Sequence, residues 1–393
     1  MQEALNIRDL ELNALLEVTQ AINNNLSEED LYRIYRFTVL GDLQVKKMLL
    51  YVKDDEWTCK VNFGDSDKKN PPELSLEYQS LEEAVLIESV DEFGGFDIAF
   101  PVKHKKKILA VVFVGGVKEE QAVDTTFLRA LTNILIVAIE NKKLARQQLQ
   151  QEAYRKELEI AKKVQNFLFP KTLPQGNNLK IEAVYLPHHE VGGDYYDYIK
   201  LSDNKFLICI ADVSGKGVPA ALLMSNFQAS LRALVRKTHN LKEIVTELNH
   251  ATFTSGNGEN FITVFVGIYD FKRKSFDYVN CGHNPTYLKS DGSVQKLVDG
   301  TTILGMFDPL PFLSTGRVTA LDQFVFFGYT DGLTETFNAE GDPYGEQNLE
   351  KILSGSFSSL SELHAEIFKS LDEFRNEYPY GDDITIISCE VNS

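Results

Sequence analysis

The chain has 393 residues, of which 43% are hydrophobic and 25% charged, and its net charge is −17. This length and composition predict two globular domains with a linker, not a disordered chain. The negative charge argues against nucleic acid and anionic membranes as partners, because both favour basic surfaces. The apolar runs, such as residues 134–139, are too short to cross a bilayer, the N-terminus does not resemble a signal peptide, and the four cysteines are scattered singly. We therefore expect a cytoplasmic protein.

Residues 1–145 predict an N-terminal domain in which helices surround a short antiparallel sheet. Leu12, Leu15 and Ile22 share one helix face, and the pattern at Ser27 is that of a capping box that begins the next helix. Strands are predicted at 47–52 and 57–61, and a hairpin at 98–102 and 107–114. A helix at 127–144 completes the domain.

This first domain resembles a GAF domain. The resemblance lies in LNALLEVTQAINNNLSEEDL near the start, and in AFPVKHKKKILAVVFVGG followed by FLRALTNILIVAIENKKL at the end. It implies an α/β sandwich that senses a signal or dimerises. The NKFDE-like motif of cyclic-nucleotide binders is absent, and no cysteine is suitably placed for a tetrapyrrole, so the signal, whether small molecule or protein, is not identified. The alternative is a dimerising spacer whose pocket is filled or unidentified.

Residues 146–170 predict a helical connector. The sequence from 140 to 170 contains no glycine and no proline before Pro170, which ends the helix. Five positions follow the 4-3-4-3 spacing of a short heptad seam: Tyr154, Leu158, Ala161, Gln165 and Leu168. We expect a homodimer that forms through the GAF-like domain and this connector, in preference to a solitary solvated helix.

Four aspartates in residues 171–393 occur next to predicted strands. Asp194 precedes a strand at 195–201, and Asp212 follows its antiparallel partner at 205–211. In a hairpin, the residue before the first strand lies beside the residue after the second, so these two carboxylates should meet. Asp331 follows a strand at 324–329, and Asp382 precedes one at 384–391. If these strands are also antiparallel, all four carboxylates converge.

Such a cluster needs positive charge, because carboxylates a few ångströms apart repel each other or take up protons. Hard oxygen ligands select Mg²⁺ or Mn²⁺ over Zn²⁺. Two ions that share a carboxylate would activate a bridging water as the nucleophile and hold a phosphoryl group, so no side chain is required as the nucleophile. The alternative role for each aspartate is an Asx turn that closes a loop.

Residues 165–391 resemble the SpoIIE/RsbU branch of the type 2C (PPM) metal-dependent protein serine/threonine phosphatases. The matching segments occur in the family's order: IAKKVQNFLFP, VGGDYYDYI, ICIADVSGKGVPAALLM, NCGHNPTYL, FFGYTDGLTE and GDDITIISCEV. The resemblance implies an α+β chain whose C-terminal domain is an α-β-β-α sandwich of two antiparallel sheets. It also implies two Mn²⁺ or Mg²⁺ ions and a phosphorylated protein substrate, by analogy an anti-anti-sigma-like (STAS) regulator, with activity controlled by the GAF-like domain.

The resemblance assigns a role to each metal-site residue. Asp212 matches the carboxylate that bridges both ions, and the backbone carbonyl of Val213 matches a further ligand. Asp331 and Asp382 match ligands of the first ion. Asp194 matches the family's first acidic position, which contacts a metal directly or through its waters.

Three further residues are candidates for supporting roles. Asp383 matches a neighbouring Asp/Asn position that orients the metal ligands without binding the metal itself. Lys216, in Ser-Gly-Lys-Gly, is a candidate for contact with the substrate phosphate, and a solvated loop lysine is the alternative. His283, in Gly-His-Asn-Pro, is a candidate general acid, but a histidine that stabilises the turn is the favoured interpretation.

The sequence thus predicts a metal-dependent protein serine/threonine phosphatase. One rival is a sensor or scaffold that keeps the phosphatase fold without catalysis. The intact set of four aspartates argues against it. The second rival is a metal-dependent hydrolase of small phosphoesters.

Overall fold

The computed structural model describes residues 2–43, 45–64, 71–87, 93, 95–104, 107–116, 125–188, 190–256 and 260–392. The chain forms two compact units, Met1–Glu152 and Ala153–Ser393. Within the described ranges, no helix combines the length and the apolar character that a membrane span requires.

The first unit is built on one antiparallel sheet with the strand order β2-β1-β5-β4-β3. The strands are β1 (Lys47–Lys53), β2 (Trp57–Phe63), β3 (Val85–Leu86), β4 (Ile98–His104) and β5 (Lys107–Gly115). The helices are α1 (Gln2–Asn23), α2 (Glu28–Gly41), α3 (Leu76–Gln79) and α4 (Thr125–Asn166), and the last residues of α4 belong to the second unit.

Both faces of this sheet are covered by apolar residues. On one face, α1, α2 and α4 bury side chains such as Tyr35 and Leu131 against the strands, and the Tyr35 hydroxyl lies 2.6 Å from Oγ1 of Thr132. On the other face, Phe93 stacks on Phe113 with ring centroids 4.1 Å apart, within an aromatic cluster to which α3 contributes. The predicted strand pairs and the Ser27 cap are confirmed. The identity of the first unit as a GAF domain stays a prediction.

The second unit contains two sheets among its described residues. The first has the order β13-β10-β9-β8-β7, with β14 paired to β10, and the second has the order β12-β11-β15-β16-β6. The strands are β6 (Leu179–Leu186), β7 (Tyr195–Ser202), β8 (Lys205–Val213), β9 (Ile262–Asp270), β10 (Ser275–Cys281), β11 (Thr286–Ser290), β12 (Ser293–Leu297), β13 (Gly300–Thr301), β14 (Gly316–Val318), β15 (Gln323–Tyr329) and β16 (Ile384–Asn392).

Helices pack on the outer faces of these two sheets. They are α5 (Val218–Leu234), α6 (Leu241–Gly256), α7 (Asp331–Thr334), α8 (Gly345–Ser354) and α9 (Leu360–Arg375). Helices α5 and α6 cover the first sheet, and α8 and α9 cover the second. The sheets meet through apolar side chains such as Phe265 and Phe326, whose ring centroids are 5.3 Å apart. The predicted α+β fold with antiparallel sheets is confirmed, although β10 and β13 form one short parallel pair.

The strand registers bring the aspartates to one end of the sandwich. Tyr195 of β7 pairs with Ala211 of β8, so Asp194 and Asp212 flank the open end of that hairpin. Strands β15 and β16 are antiparallel, which is the condition on which the second aspartate pair depended, and Tyr329 pairs with Ile386. Asp331 and Asp382 therefore flank the corresponding end of the second pair.

Candidate metal centre

The predicted carboxylates lie close enough to change one another's acidity. Burial raises the pKa of Asp194 well above its ordinary value, and the charge of Asp212 raises it further. Burial, followed by the charges of Asp331 and Asp382, raises the pKa of Asp212 to about 7. The pKa of Asp331 is also raised, first by burial and then by Glu335 and Asp382. The structure therefore brings together all four aspartates that the sequence singled out.

The chemistry of this cluster suits a hard divalent cation. Every side-chain donor is a carboxylate oxygen, and the mutual repulsion of the carboxylates is the kind of penalty that a bound cation removes. However, no group of three or more His, Cys, Asp or Glu side chains in the described part of the chain is arranged as a ready-made metal site. The donor set, made of carboxylate oxygens, thus fits Mg²⁺ or Mn²⁺.

Asp194 is held by two threonines of the second sheet, one directly after β15 and one in β16. The hydroxyls of Thr330 and Thr385 both donate to Oδ2 of Asp194, at 2.8 and 2.5 Å. The Thr385 backbone amide in turn donates to Oγ1 of Thr330 at 2.9 Å. These contacts fix one oxygen of a carboxylate that is 2% exposed. Sequence reasoning missed both threonines, although Thr330 directly precedes Asp331 and so carried a positional signal.

Asp383 lies behind the cluster and binds the loop that leads to Asp194. Its Oδ1 accepts a hydrogen bond from the His188 backbone amide at 2.7 Å, and its Oδ2 accepts one from Gly193 at 3.1 Å. These contacts are what a residue that orients the ligand loop would make. Its role toward a metal stays a prediction.

Two glycines allow the backbone to pack tightly around the carboxylates. A Cβ on Gly193 would lie 2.6 Å from the carbonyl oxygen of Val213, and one on Gly332 would lie 2.0 Å from the carbonyl oxygen of Asp383. Both distances are shorter than any tolerable contact, so only glycine fits at either position. The Val213 carbonyl, predicted as a ligand, therefore lies directly beside the residue that precedes Asp194.

Gln165 contacts this loop from α4, and its predicted place in a heptad seam needs correction. Its Nε2 donates to the Gly192 carbonyl oxygen at 2.6 Å, and its Oε1 accepts from the Gly192 amide at 3.4 Å. The residue is 4% exposed, because its side chain is packed within the second unit. Gln165 is thus unavailable for pairing between two copies of the helix.

Comparisons with known proteins identify relatives of this chain. Residues 202–392 match the family described as Stage II sporulation protein E (SpoIIE). The chain is 30% identical to phosphoserine phosphatase RsbU of Bacillus subtilis over 241 residues, which cover 60% of this chain and 70% of RsbU. The chain belongs to the SpoIIE family.

Two further similarities define how far this relationship extends. The chain is 28% identical to protein IcfG of Synechocystis sp. over 280 residues, which cover 64% of this chain but only 44% of IcfG. Its fold is similar to that of the SiaA-PP2C domain of Pseudomonas aeruginosa, with a TM-score of 0.54 and 24% identity over 61% of this chain and 97% of that one. The SpoIIE match contains Asp212, Asp331 and Asp382, and Asp194 precedes it.

In this SpoIIE-family chain, the side chain of Lys216 contacts the edge of the aspartate cluster. Its ammonium group lies 2.9 Å from Oδ2 of Asp382 and 3.3 Å from the Gly381 carbonyl oxygen. Its pKa is raised, first by the hydrogen bond to Asp382. The lysine thus carries positive charge to the edge of the cluster, and its contact with a substrate phosphate stays a prediction.

The contacts of His283 favour the structural role over the general acid. Its Nδ1 lies 2.8 Å from Oγ1 of Thr263, and its Nε2 lies 3.0 Å from the Tyr329 carbonyl oxygen. Since a carbonyl only accepts, Nε2 carries the proton. Burial lowers the pKa of His283 to about 4. A neutral histidine with both nitrogens engaged joins β9 to β15, which is the turn-stabilising alternative.

Proposed function

We propose that the chain is a metal-dependent protein serine/threonine phosphatase. The observation that carries this proposal is the convergence of Asp194, Asp212, Asp331 and Asp382 at one end of two sheets, where burial and neighbouring carboxylates raise the pKa values of the first three. The membership of the chain in the SpoIIE family supports it, as does its similarity to a protein named as a phosphoserine phosphatase.

The proposed site would hold two Mn²⁺ or Mg²⁺ ions. Asp212 would be shared between them, and the Val213 carbonyl would be a further ligand. Asp194, Asp331 and Asp382 would complete the set of ligands that the protein supplies. When bound, such ions supply Lewis-acid charge for the phosphoryl group and a nucleophile from water. No serine, cysteine or histidine nucleophile is then required.

The chain's own residues would orient this site. Asp383 and Gln165 both bind the loop that ends in Asp194, and Thr330 fixes the Asp194 carboxylate. Lys216, beside Asp382, would be released for contact with the substrate phosphate once an ion neutralises the carboxylates. Such preorganised charge is what phosphoryl transfer demands of a protein.

The proposed substrate is a phosphorylated protein, by analogy a STAS-like regulator. The proposed input is a signal received by the GAF-like first unit and passed along α4, and the proposed assembly is a homodimer. Three features support this scheme: the predicted sensor-helix-phosphatase order, the 42-residue length of α4, and the contact of its last turn with the loop before Asp194 through Gln165.

The activity is tested by Mn²⁺-dependent hydrolysis of p-nitrophenyl phosphate. We expect Asp212→Asn to abolish turnover, because it removes the charge of the proposed bridging ligand. Asp203→Asn is the matched control, since Asp203 lies at the opposite, exposed turn of the same hairpin. Full activity of Asp212→Asn would refute the mechanism.

The rival function is a non-catalytic sensor or scaffold that keeps the phosphatase fold. Titration calorimetry with Mn²⁺ separates the two. Saturable binding that Asp212→Asn abolishes supports the phosphatase. A wild-type chain that binds no Mn²⁺ supports the scaffold.

The substrate class requires its own experiment. A phosphoserine-bearing STAS protein and p-nitrophenyl phosphate should be offered to the full chain under the same conditions. Release of phosphate from the protein at the higher kcat/KM supports a protein phosphatase. Turnover of small phosphoesters alone would indicate the second rival, a small-molecule hydrolase.

A further inference from the structure

A basic cavity of about 570 Å³ opens on the second unit at the end of the first sheet that is remote from the carboxylates. Lys205, at the start of β8, lines it, whereas Asp212 lies seven residues further along the same strand. An extended strand rises about 3.3 Å per residue, so the cavity and the aspartates are separated by about 23 Å. The two places are therefore distinct.

The cavity lining carries an excess of positive charge. Its basic side chains come from four separate parts of the chain: Lys205, His239 with Lys242, Arg273 and Arg317. Such a concentration is unexpected in a chain with a net charge of −17. Two carboxylates, of Asp270 and Asp277, also line the cavity, so the balance depends on how those two are already bound.

Both carboxylates are satisfied by neighbouring groups. Oδ1 of Asp270 accepts hydrogen bonds from the backbone amides of Lys272 and Arg273, and its Oδ2 lies 3.2 Å from the Lys205 ammonium group. Asp277 is bound by the guanidinium group of Arg317 through two nitrogens.

Two cations remain only weakly compensated. Lys242 makes no ion pair among the described residues, and Arg273 reaches Asp270 only at 3.9 Å. The side chains of Lys242 and Arg273 are both exposed to solvent and line the cavity. They are thus available to a ligand without disruption of a strong existing contact.

The start of α6 adds to the positive potential. The helix has 16 residues and begins at Leu241, which lines the cavity, and Oδ1 of Asn240 caps the amide of Lys242. A helix N-terminus carries partial positive charge and favours anions. Glu243, the acid of this first turn, accepts a hydrogen bond from Thr238 and does not line the cavity.

We propose that this cavity binds a small anion that carries phosphate groups. Its volume lies within the range of small-molecule sites, roughly 300–1,000 Å³. Guanidinium and ammonium groups on several sides match the geometry and charge of phosphate oxygens. The site is independent of the carboxylate cluster and does not rest on the phosphatase function.

The test is titration calorimetry of the full chain with inorganic pyrophosphate, after removal of metals on a chelating resin. Without metals, the acidic cluster repels pyrophosphate and cannot contribute. We expect saturable binding at one site per chain. The double variant Lys242→Ala/Arg273→Ala should weaken this binding at least about tenfold, because each lost charged contact costs about that much in affinity.

The matched control is Lys351→Ala/Lys369→Ala, which removes the same charge from α8 and α9 on the other side of the sandwich. It should bind pyrophosphate as the wild type does, and Lys242→Arg/Arg273→Lys should retain binding. Equal weakening in the Lys351/Lys369 variant, or no saturable binding by the wild type, would overturn the proposal.

Two further ligands define the chemical class. Tighter binding of ADP than of pyrophosphate would identify a nucleotide as the source of the phosphates, and the reverse order would identify a free phosphate compound. Tighter binding of tricarballylate than of either would show that the site selects carboxylates, and the phosphate assignment would be wrong.

Discussion

The side-chain amide of Gln165 binds both the carbonyl oxygen and the amide nitrogen of Gly192, two residues before Asp194. A buried backbone group that loses its partner costs about 1–3 kcal/mol. We expect Gln165→Ala to lower the free energy of unfolding by about that amount and to weaken Mn²⁺ binding, because the ligand loop loses its support. Chemical denaturation and calorimetry measure the two effects.

Gln148→Ala is the control for this change, since Gln148 is an exposed residue of the same helix. It should leave both quantities unchanged. If Gln165→Ala binds Mn²⁺ with wild-type affinity, the loop does not depend on this contact.

The ion pair between the buried Asp197 and Arg232 predicts that removal of the arginine lowers stability more than neutralisation of the aspartate. Asp197 is fully buried, and it accepts two bonds from the Arg232 guanidinium group at 2.8 and 2.9 Å. Burial raises the pKa of Asp197 despite this partner. Arg232→Met should cost about 3 kcal/mol or more, because it leaves a buried charge unpaired. Asp197→Asn should cost less, since the half-exposed arginine can turn to solvent.

Urea denaturation tests this order. Arg317→Met is the comparison, because Arg317 makes the same two-nitrogen contact with Asp277 but is largely exposed. It should cost less than about 1 kcal/mol. An equal loss for Arg232→Met and Arg317→Met would mean that burial does not govern the Arg232 pair.

His283 predicts a loss of stability in mild acid. Its pKa is lowered to about 4 in the folded chain, whereas an unfolded histidine titrates near 6.5. Below about pH 6.5 the unfolded chain takes up a proton that the folded chain refuses, so stability falls as the pH falls from 6.5 towards 4. At pH 5 this single group costs about 2 kcal/mol relative to neutral pH.

The measurement compares unfolding free energies at pH 7.5 and pH 5. In His283→Gln, the loss between the two values should be smaller than in the wild type by about 2 kcal/mol. His239→Gln, at an exposed histidine, should retain the wild-type loss. Identical losses in all three proteins would show that His283 is not held neutral.

Lys216 predicts a change in metal affinity. Its ammonium group pairs with Asp382, so an incoming cation has to displace it. We expect Lys216→Gln to bind Mn²⁺ more tightly, by up to about fivefold, since an exposed pair is worth at most about 1 kcal/mol. Lys200→Gln breaks a similar pair with Asp203 at the far turn and should have no effect. Weaker Mn²⁺ binding in Lys216→Gln would contradict this expectation.

The sequence predicted the carboxylate cluster because local rules determine it. A hairpin's register fixes which residues meet at its open end, and that rule brought Asp194 to Asp212 without knowledge of the rest of the fold. The second pair needed one assumption, that β15 and β16 are antiparallel, and the structure confirms it.

The supporting contacts were beyond these rules, because they join residues far apart in sequence. Thr385 is 191 positions from Asp194, and Gln165 is 27 positions from Gly192. The heptad pattern assigned Gln165 to a face that pairs with another helix, since periodicity records which positions are inward-facing but not what they face. The neutral state of His283 likewise depends on burial that sequence alone does not reveal.

The two threonine hydroxyls on Asp194 have a consequence for how the sandwich opens. Thr385 lies in β16 and Thr330 directly follows β15, both strands of the second sheet, whereas Asp194 leads into β7 of the first. Hydrogen bonds therefore join the two sheets at the end of the sandwich where the aspartates lie, in addition to the apolar interface between the sheets. In Thr385→Val, amide hydrogens at the start of β7 should exchange with deuterated solvent faster, while those at its Lys200 end keep the wild-type rate. The two threonines would then control the rate of local opening at the same end of the sandwich that carries the proposed metal ligands.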